Sequence, residues 1–404
     1  MPIRPERGIP STIPAVSVRM ILTITSEGIW YPCVLYRIPR LHAPERKVLD
    51  DIAAVRDQLK SRIGVPRRWV GVLRRNTLAR AIRGSNSIEG FNVTADDAIA
   101  AAEGEEPLQA EREAWLAVTG YRNAMTYVLQ LASDPHFSYN EGFIRSLHYM
   151  MLLHDLSKHP GLWRLGPIYI RDERRGEIVF EGPEAETVPR LIAEFVADLN
   201  SGSDAAGIIR GAMSHLNLVM IHPFSDGNGR MARCLQTLVL AREGILEPQF
   251  CSIEEYLGNN TPEYYDVLAA VGRGSWSPKN DARPWIRFCL TAHYRQAQII
   301  LRRTTELNRL WDELEVLLRD MALAERMIFA LADAAMGLKV RNATYRSPAE
   351  VSDNLASRDL KALVERGLLI PDGNARARAY VASDVLHKIR VRTREPKKMI
   401  DPIY

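Results

Sequence analysis

The segment His222-Pro223-Phe224-Ser225-Asp226-Gly227-Asn228-Gly229-Arg230, followed by Met231-Ala232-Arg233, concentrates reactive side chains in one loop. An imidazole such as His222 can take the proton of a hydroxyl as a general base. Asp226 is a carboxylate of the kind that holds Mg²⁺ when phosphates supply the remaining ligands. Gly227 and Gly229 let the backbone approach a ligand closely and adopt positive φ. A helix beginning near Gly229 points its free N–H groups at the loop, which makes an anion site. Arg230 and Arg233, three residues apart, share one side of that helix and suit a polyphosphate better than a lone carboxylate. Base, metal ligand, phosphate cradle and two cations together describe attack of a hydroxyl on a nucleotide phosphate.

The elements that must hold this loop are mainly helical. Apolar residues recur at three- and four-residue steps from Val48 to Leu59 and again over Trp69–Ile88, where Gly90 is a terminator. Thr94 with Asp96 and Asp97 starts a further helix. Helices are expected over 109–132, 140–154, 187–200, 205–221, 229–243, 262–271 and 283–305. Between Gly161 and Pro183 the period changes to two, with Ile168 and Ile170, then Ile178 and Phe180, around a polar tip at Asp172–Gly176, so a β-hairpin is expected there. Pro2, Pro5, Pro10 and Pro14 interrupt the start of the chain, and Val16–Thr25 alternates as a strand. A second pattern follows from about residue 321. It has a helix at 321–336, a short one near Ser347–Val351, and a third over Asn354–Gly367 with Leu355, Leu360, Leu363 and Val364 inward. Strands at Leu368–Ile370 and Ala379–Val381 flank a basic tip. That is the order of a winged helix-turn-helix.

Composition narrows the class. The 404 residues are 46% hydrophobic and 25% charged, ordinary values for a globular protein. No apolar run approaches the ~20 residues of a membrane span, and residues 1–30 lack the pattern of a signal peptide. Cys33, Cys234, Cys251 and Cys289 form no C-x-x-C pair and read as free thiols of a reducing cytoplasm. The net charge is +4, and residues 321–404 carry 15 Lys and Arg against 10 Asp and Glu, so any nucleic-acid affinity belongs to the C-terminal end.

The loop matches H-x-F-x-[DE]-G-N-G-R-x-x-R at every fixed position and resembles the motif of Fic-domain proteins, over roughly residues 45–305. The resemblance implies a mainly α fold: a Fic-type helical domain with a β-hairpin flap. It also implies transfer of AMP from ATP to a Tyr, Ser or Thr hydroxyl of a protein. On that likeness His222 is the base, and Asp226 binds Mg²⁺ (or Mn²⁺). Asn228, Gly227 and Gly229 hold the phosphates, and Arg230 stabilises the leaving ones. Arg233 holds the ATP γ-phosphate, and Phe224 seats the loop. The flap, near 168–181, pairs with an extended segment of the protein substrate. Trp163-Arg164 resembles the approach to the flap, and Tyr264-Tyr265, after Asn259-Asn260, resembles the helix beside the adenine.

Ser85-Asn86-Ser87-Ile88-Glu89-Gly90 matches the family's inhibitory pattern [ST]-x-x-x-E-[GN]. Ser85 and Glu89 lie four apart and share a helical face, with Ile88 inward. By resemblance Glu89 pairs with Arg233 and takes the place of the γ-phosphate, so the chain restrains itself. The same carboxylate, by activating water, would also suit removal of AMP, and self-modification is open. A few Fic proteins transfer UMP, phosphocholine or phosphate instead; the match of Arg233 favours a nucleoside triphosphate, with ATP the common donor.

Residues Asn342–Arg346 and Ala356–Leu363 resemble the winged-helix modules that follow many bacterial Fic domains. Ser357, Arg358 and Lys361 on the third helix, with Arg376 and Arg378 on the wing, are the candidate DNA contacts, although such modules also dock proteins. The organisation expected is an N-terminal segment at 1–44, a helical region with the inhibitory helix at 45–135, and a catalytic core at 136–305. A linker helix at 306–320 and a winged helix-turn-helix at 321–404 complete it. A homodimer in the cytoplasm with no membrane partner is expected. The competing reading is a DNA-binding transcriptional regulator that uses the Fic domain as a nucleotide sensor.

Overall fold

The computed structural model describes residues 35–63, 68–172, 176–201, 205–244, 250, 252–373, 378–397 and 400–404. The strand expected at Val16–Thr25, Cys33, Cys251 and Arg376 lie outside them. The described elements form a helical body. In chain order they are α1 (Ala43–Ile63), α2 (Trp69–Ile88), α3 (Ala95–Glu103), α4 (Arg112–Leu131) and α5 (Glu141–Leu152). The strands β1 (Tyr169–Asp172) and β2 (Glu177–Glu181) follow, then α6 (Val188–Asn200), α7 (Gly207–Ile221), α8 (Asn228–Arg242), α9 (Glu254–Asn259) and α10 (Thr261–Gly272). Next are β3 (Gly274–Ser275), α11 (Arg283–Asp320), α12 (Ile328–Ala335), α13 (Asn342–Ala349) and α14 (Asp353–Glu365). The chain closes with β4 (Leu369–Asp372), β5 (Ala379–Ala382) and α15 (Asp384–Thr393). Local chemistry sets several helix starts. Thr94 Oγ1 accepts from the Asp97 N–H at 3.1 Å, and Asn140 Oδ1 accepts from the Phe143 N–H at 2.8 Å.

The hairpin expected near 168–181 is present. β1 and β2 pair antiparallel, with Tyr169 opposite Glu181. A strand the sequence did not announce joins them: β3 pairs parallel to β2, Phe180 against Gly274. Two residues after a left-handed Arg273 are too short to leave a periodic trace.

Several further expectations are corrected. The helix read as ending at 305, and the linker helix at 306–320, are one uninterrupted α11 of 38 residues. Its buried face continues through Leu307, Leu310, Trp311, Leu314 and Leu318, so nothing breaks it. The helix expected over 321–336 begins later, with a 3₁₀ turn at Glu325–Met327 and then α12. The short helix near 347–351 is α13, which starts five residues earlier. On α14, Leu360 and Leu363 are buried and Leu355 and Val364 only partly so, because Ala356 and Asp359 take the inner positions. Asp359 is held there by Arg326, at 2.7 and 2.8 Å, and by the Tyr345 hydroxyl at 2.8 Å. β4 and β5 pair antiparallel, and α15 follows them without having been expected.

Two apolar clusters fill the interior. One gathers α1, α7, α10, α11 and the C-terminal helices, and the other gathers α3 to α6 with α8. The loop 222–230 lies where α7 hands over to α8, with Ile221 and Phe224 anchored in the second cluster. α2 reaches α9 by backbone contact. A Cβ on Gly84 would stand 2.4 Å from the Glu254 carbonyl oxygen, so only glycine permits this approach.

Candidate active site

α7 ends at His222, whose φ of 50° is left-handed, a conformation that costs a non-glycine residue on the order of 1–2 kcal/mol. That turn swings the ring out of the helix while Nδ1 donates to the Val219 carbonyl at 3.0 Å. The bond leaves Nε2 as the acceptor, which is the tautomer a base requires. Burial holds the His222 pKa down, at about 4, so the ring is neutral at physiological pH. Arg164 fixes the residue from outside: its Nε donates to the His222 carbonyl at 2.8 Å. The same guanidinium donates to the carbonyls of Gly166 and Pro183, tying both ends of the hairpin to the His222 turn.

The loop is closed on itself. Asn228 donates to the Phe224 carbonyl at 2.9 Å, and the Phe224 N–H donates back to Asn228 Oδ1 at 3.0 Å. Asn228 is therefore spent on loop geometry. Phe224 is fully buried and stacks on His148, ring centroids 3.6 Å apart, with Trp163 at 4.9 Å. His148 was not singled out in the sequence, since nothing separates it from the apolar face of α5. Its Nδ1 accepts from the Gly161 N–H at 2.8 Å, and its Nε2 donates to the Asp226 carbonyl at 3.0 Å. Burial lowers its pKa to about 4, so it stays neutral in this role. Gly227, at φ 74°, leaves no room for a side chain: a Cβ would meet Leu152 at 2.5 Å.

Asp226 faces outward. Its Oδ1 accepts from the Gly227 N–H at 2.6 Å, and its Oδ2 lies 3.4 Å from Lys158 Nζ. One oxygen-donor carboxylate already facing a cation fits a Mg²⁺ shared with phosphates. No cluster of three or more metal-binding side chains occurs among the described residues, so such an ion needs ligand oxygens from its substrate.

Arg230 and Arg233 are both buried on α8. Arg233 donates from Nε to Ser85 Oγ at 2.8 Å, and from Nη2 to the Ser85 carbonyl at 3.0 Å and to Glu89 Oε1 at 2.6 Å. Burial opposes its charge, but Glu89 more than compensates and holds the guanidinium above its ordinary pKa. Arg230 lies 5.2 Å from the Phe91 ring, and its Nε and Nη1 have no hydrogen-bond partner; neither does Arg233 Nη1. Buried donors left unpaired are costly, and these three nitrogens, all from the first turns of α8, suit an anion. Gly90 closes α2 at φ 85°, and Ile88 is buried as the sequence predicts.

The two tyrosines of α10 separate. Tyr264 is buried, with its hydroxyl 3.0 Å from His215 Nε2, so it belongs to the wall behind Arg233. Tyr265 is 45% exposed, and its hydroxyl reaches the Ile88 carbonyl at 3.4 Å. In the C-terminal part, Arg358, Lys361 and Arg378 are exposed. Lys361 pairs with Glu365, and Ser357 accepts from Asn342 at 2.8 Å.

A helical body, a short hairpin beside the loop, and an anion site at the start of α8 define a Fic-type fold. Residues 138–240 match the Fic/DOC family. The protein adenylyltransferase Fic of Nematostella vectensis is 27% identical over 278 residues, 66% of this chain and 59% of that protein. The protein adenylyltransferase fic-1 of Caenorhabditis briggsae is 35% identical over 127 residues, 30% of this chain and 22% of that protein. The chain thus spans less than two thirds of these curated relatives. Among solved structures, a Fic family protein from Desulfovibrio desulfuricans G20 superposes with a TM-score of 0.55 at 20% identity, over 86% of this chain and 99% of that one. At these identities the structural likeness establishes the fold. No described helix is long and apolar enough to cross a membrane.

Proposed function

We propose that this chain transfers AMP from ATP to a hydroxyl group of a protein, and that Glu89 restrains the transfer. The observation that carries the reading is the Glu89–Arg233 contact at 2.6 Å beside the unpaired Nε and Nη1 of Arg230. A carboxylate occupies one part of an anion site whose remaining donors await phosphate. His222 Nε2 takes the proton as the hydroxyl oxygen attacks the α-phosphorus. The bond from that phosphorus to the bridging oxygen breaks, and pyrophosphate leaves toward Arg230 and Arg233. Asp226 would hold Mg²⁺, which when bound neutralises phosphate charge. The β1–β2 hairpin offers its edge to an extended segment of the target. The names of the relatives favour transfer over a nucleotide-sensing regulator.

The reading extends to the C-terminal elements α12 to β5, which we take as a winged helix-turn-helix with Arg358 and Arg378 as its exposed cations. A homodimer and a cytoplasmic setting belong to the same proposal. The deciding experiment incubates the wild type, Glu89→Gly and Glu89→Gly/His222→Ala with α-labelled ATP and Mg²⁺, alone and in lysate. Label on protein should be strongest with Glu89→Gly and absent from the double variant. No label with Glu89→Gly on any polypeptide overturns the proposal.

A further inference from the structure

Behind Arg233 lies a line of buried polar groups for which the transfer chemistry has no use. Arg233 Nε donates to Ser85 Oγ at 2.8 Å. The Tyr121 phenol faces Ser85, whose hydroxyl works against the rise in its pKa that burial causes. The Tyr121 hydroxyl donates to Glu254 Oε1 at 2.8 Å, and Thr237 donates to the same oxygen at 3.3 Å. Tyr121 and Glu254 are 0% and 1% exposed, so water does not substitute for these bonds. Arg233 donates to Ser85 at one end of the line, and Tyr121 and Thr237 donate to the carboxylate at the other. The line also joins four elements. Tyr121 is on α4, Glu254 opens α9, Ser85 is on α2, and Thr237 sits one turn beyond Arg233 on α8. α9 is the helix that touches α2 at Gly84. Glu254 Oε2 has no partner, which marks a carboxylate kept in the interior for something other than its own pairing.

We infer that Tyr121 and Glu254 are positioning residues: through Ser85 they set both the posture of the Arg233 guanidinium and the seating of the α2 end that delivers Glu89. This rests on the proposed role of Glu89. The two consequences have opposite sign. With Glu89 in place, loosening Ser85 weakens the internal competitor, so nucleotide binds better. With Glu89 removed, the same loosening leaves Arg233 poorly aimed, so nucleotide binds worse. A merely structural role would move both backgrounds in one direction.

The test measures MgATP affinity by calorimetry for Tyr121→Phe and Glu254→Gln, each in the wild-type and the Glu89→Gly chain. Both substitutions keep the shape of the side chain, and thermal midpoints report whether the variants fold. Loss of one buried hydrogen bond to a charged group corresponds to about tenfold in affinity. The expected result is tighter MgATP binding in the wild-type background and weaker binding in Glu89→Gly, each by about three- to tenfold. In the transfer assay the Glu89→Gly pair should show KM for ATP raised with kcat little changed, the mark of lost ground-state binding. Affinity changes of the same sign in both backgrounds, or none in either, overturn the inference. Because affinity is read without turnover, a Glu89→Gly chain that binds MgATP but labels nothing counts against the transfer reading alone.

Discussion

Glu89 Oε1 accepts from Arg233 Nη2 at 2.6 Å and stands 2.5 Å from where a Cβ on Gly229 would lie. The carboxylate and the first turn of α8 thus share a space with no volume to spare. In the proposed reaction a phosphate takes that space. Gly229→Ala should therefore weaken MgATP binding in the Glu89→Gly chain by at least about tenfold, since the methyl group meets the phosphate as it meets the carboxylate. Calorimetry against the parent Glu89→Gly chain checks this, and unchanged affinity would show that phosphate sits elsewhere.

Arg164 binds the His222 turn to the hairpin through three backbone carbonyls, those of His222, Gly166 and Pro183. A planar five-donor fork can serve three acceptors at once, and a lysine ammonium cannot do so from the same stem. Arg164→Lys and Arg164→Ala should each cost about 2 kcal/mol in urea unfolding. Transfer by Glu89→Gly should fall with both, without rescue by lysine.

Acid should unfold the chain early. Burial lowers the pKa of His148 to about 4, His215 to about 3 and His222 to about 4, against an ordinary value of 6.5. The unfolded chain takes up these protons near pH 6.5 and the folded chain does not. Their contribution to stability is therefore complete above 6.5 and declines as the pH falls toward 4. Glu254 runs the other way. Burial raises it to about 7, so its contribution is full below 4.5 and fades as the pH rises through 7. Glu103, also raised by burial to about 7, acts with Glu254, and His293, which burial holds well below 6.5, acts with the other three histidines; four groups outweigh two, and the urea midpoint should fall between pH 7 and pH 5. Transfer by Glu89→Gly should stay level from pH 8 to about 6, because His222 is already neutral there.

Arg75 locks α2 to the C-terminal part. From α2 it pairs with Glu103 on α3 at 3.1 Å and with Asp333 on α12. All three side chains are at most 10% exposed, so removing the cation strands two buried carboxylates. Arg75→Met should cost about 3 kcal/mol in urea unfolding, far more than the loss of the exposed Lys47–Asp51 pair. A cost below that of a surface pair would show that the site rehydrates.

Much of this was written in short stretches of sequence. The spacing of His222, Asp226, Gly227, Gly229, Arg230 and Arg233 suggests the chemistry because all six lie within one turn and one helix start. Ser85 and Glu89 are legible for the same reason, as neighbours on one helical face. The hairpin and most helices follow from period and capping residues, as Thr94 and Asn140 illustrate. β3 escaped because two residues carry no period, and the length of α11 because a helix that changes partners midway has no local stop signal.

The sequence alone determined which groups meet within a loop or a turn, since there the chain itself is the ruler. Tertiary structure alone decided which distant groups meet. It brought Glu89 to Arg233 across 144 residues, stacked His148 under Phe224, buried Tyr264 while leaving Tyr265 at the surface, and joined Tyr121 to Glu254 in the interior. Those contacts depend on how helices pack, and packing is fixed by the sum of many buried surfaces that no single spacing encodes.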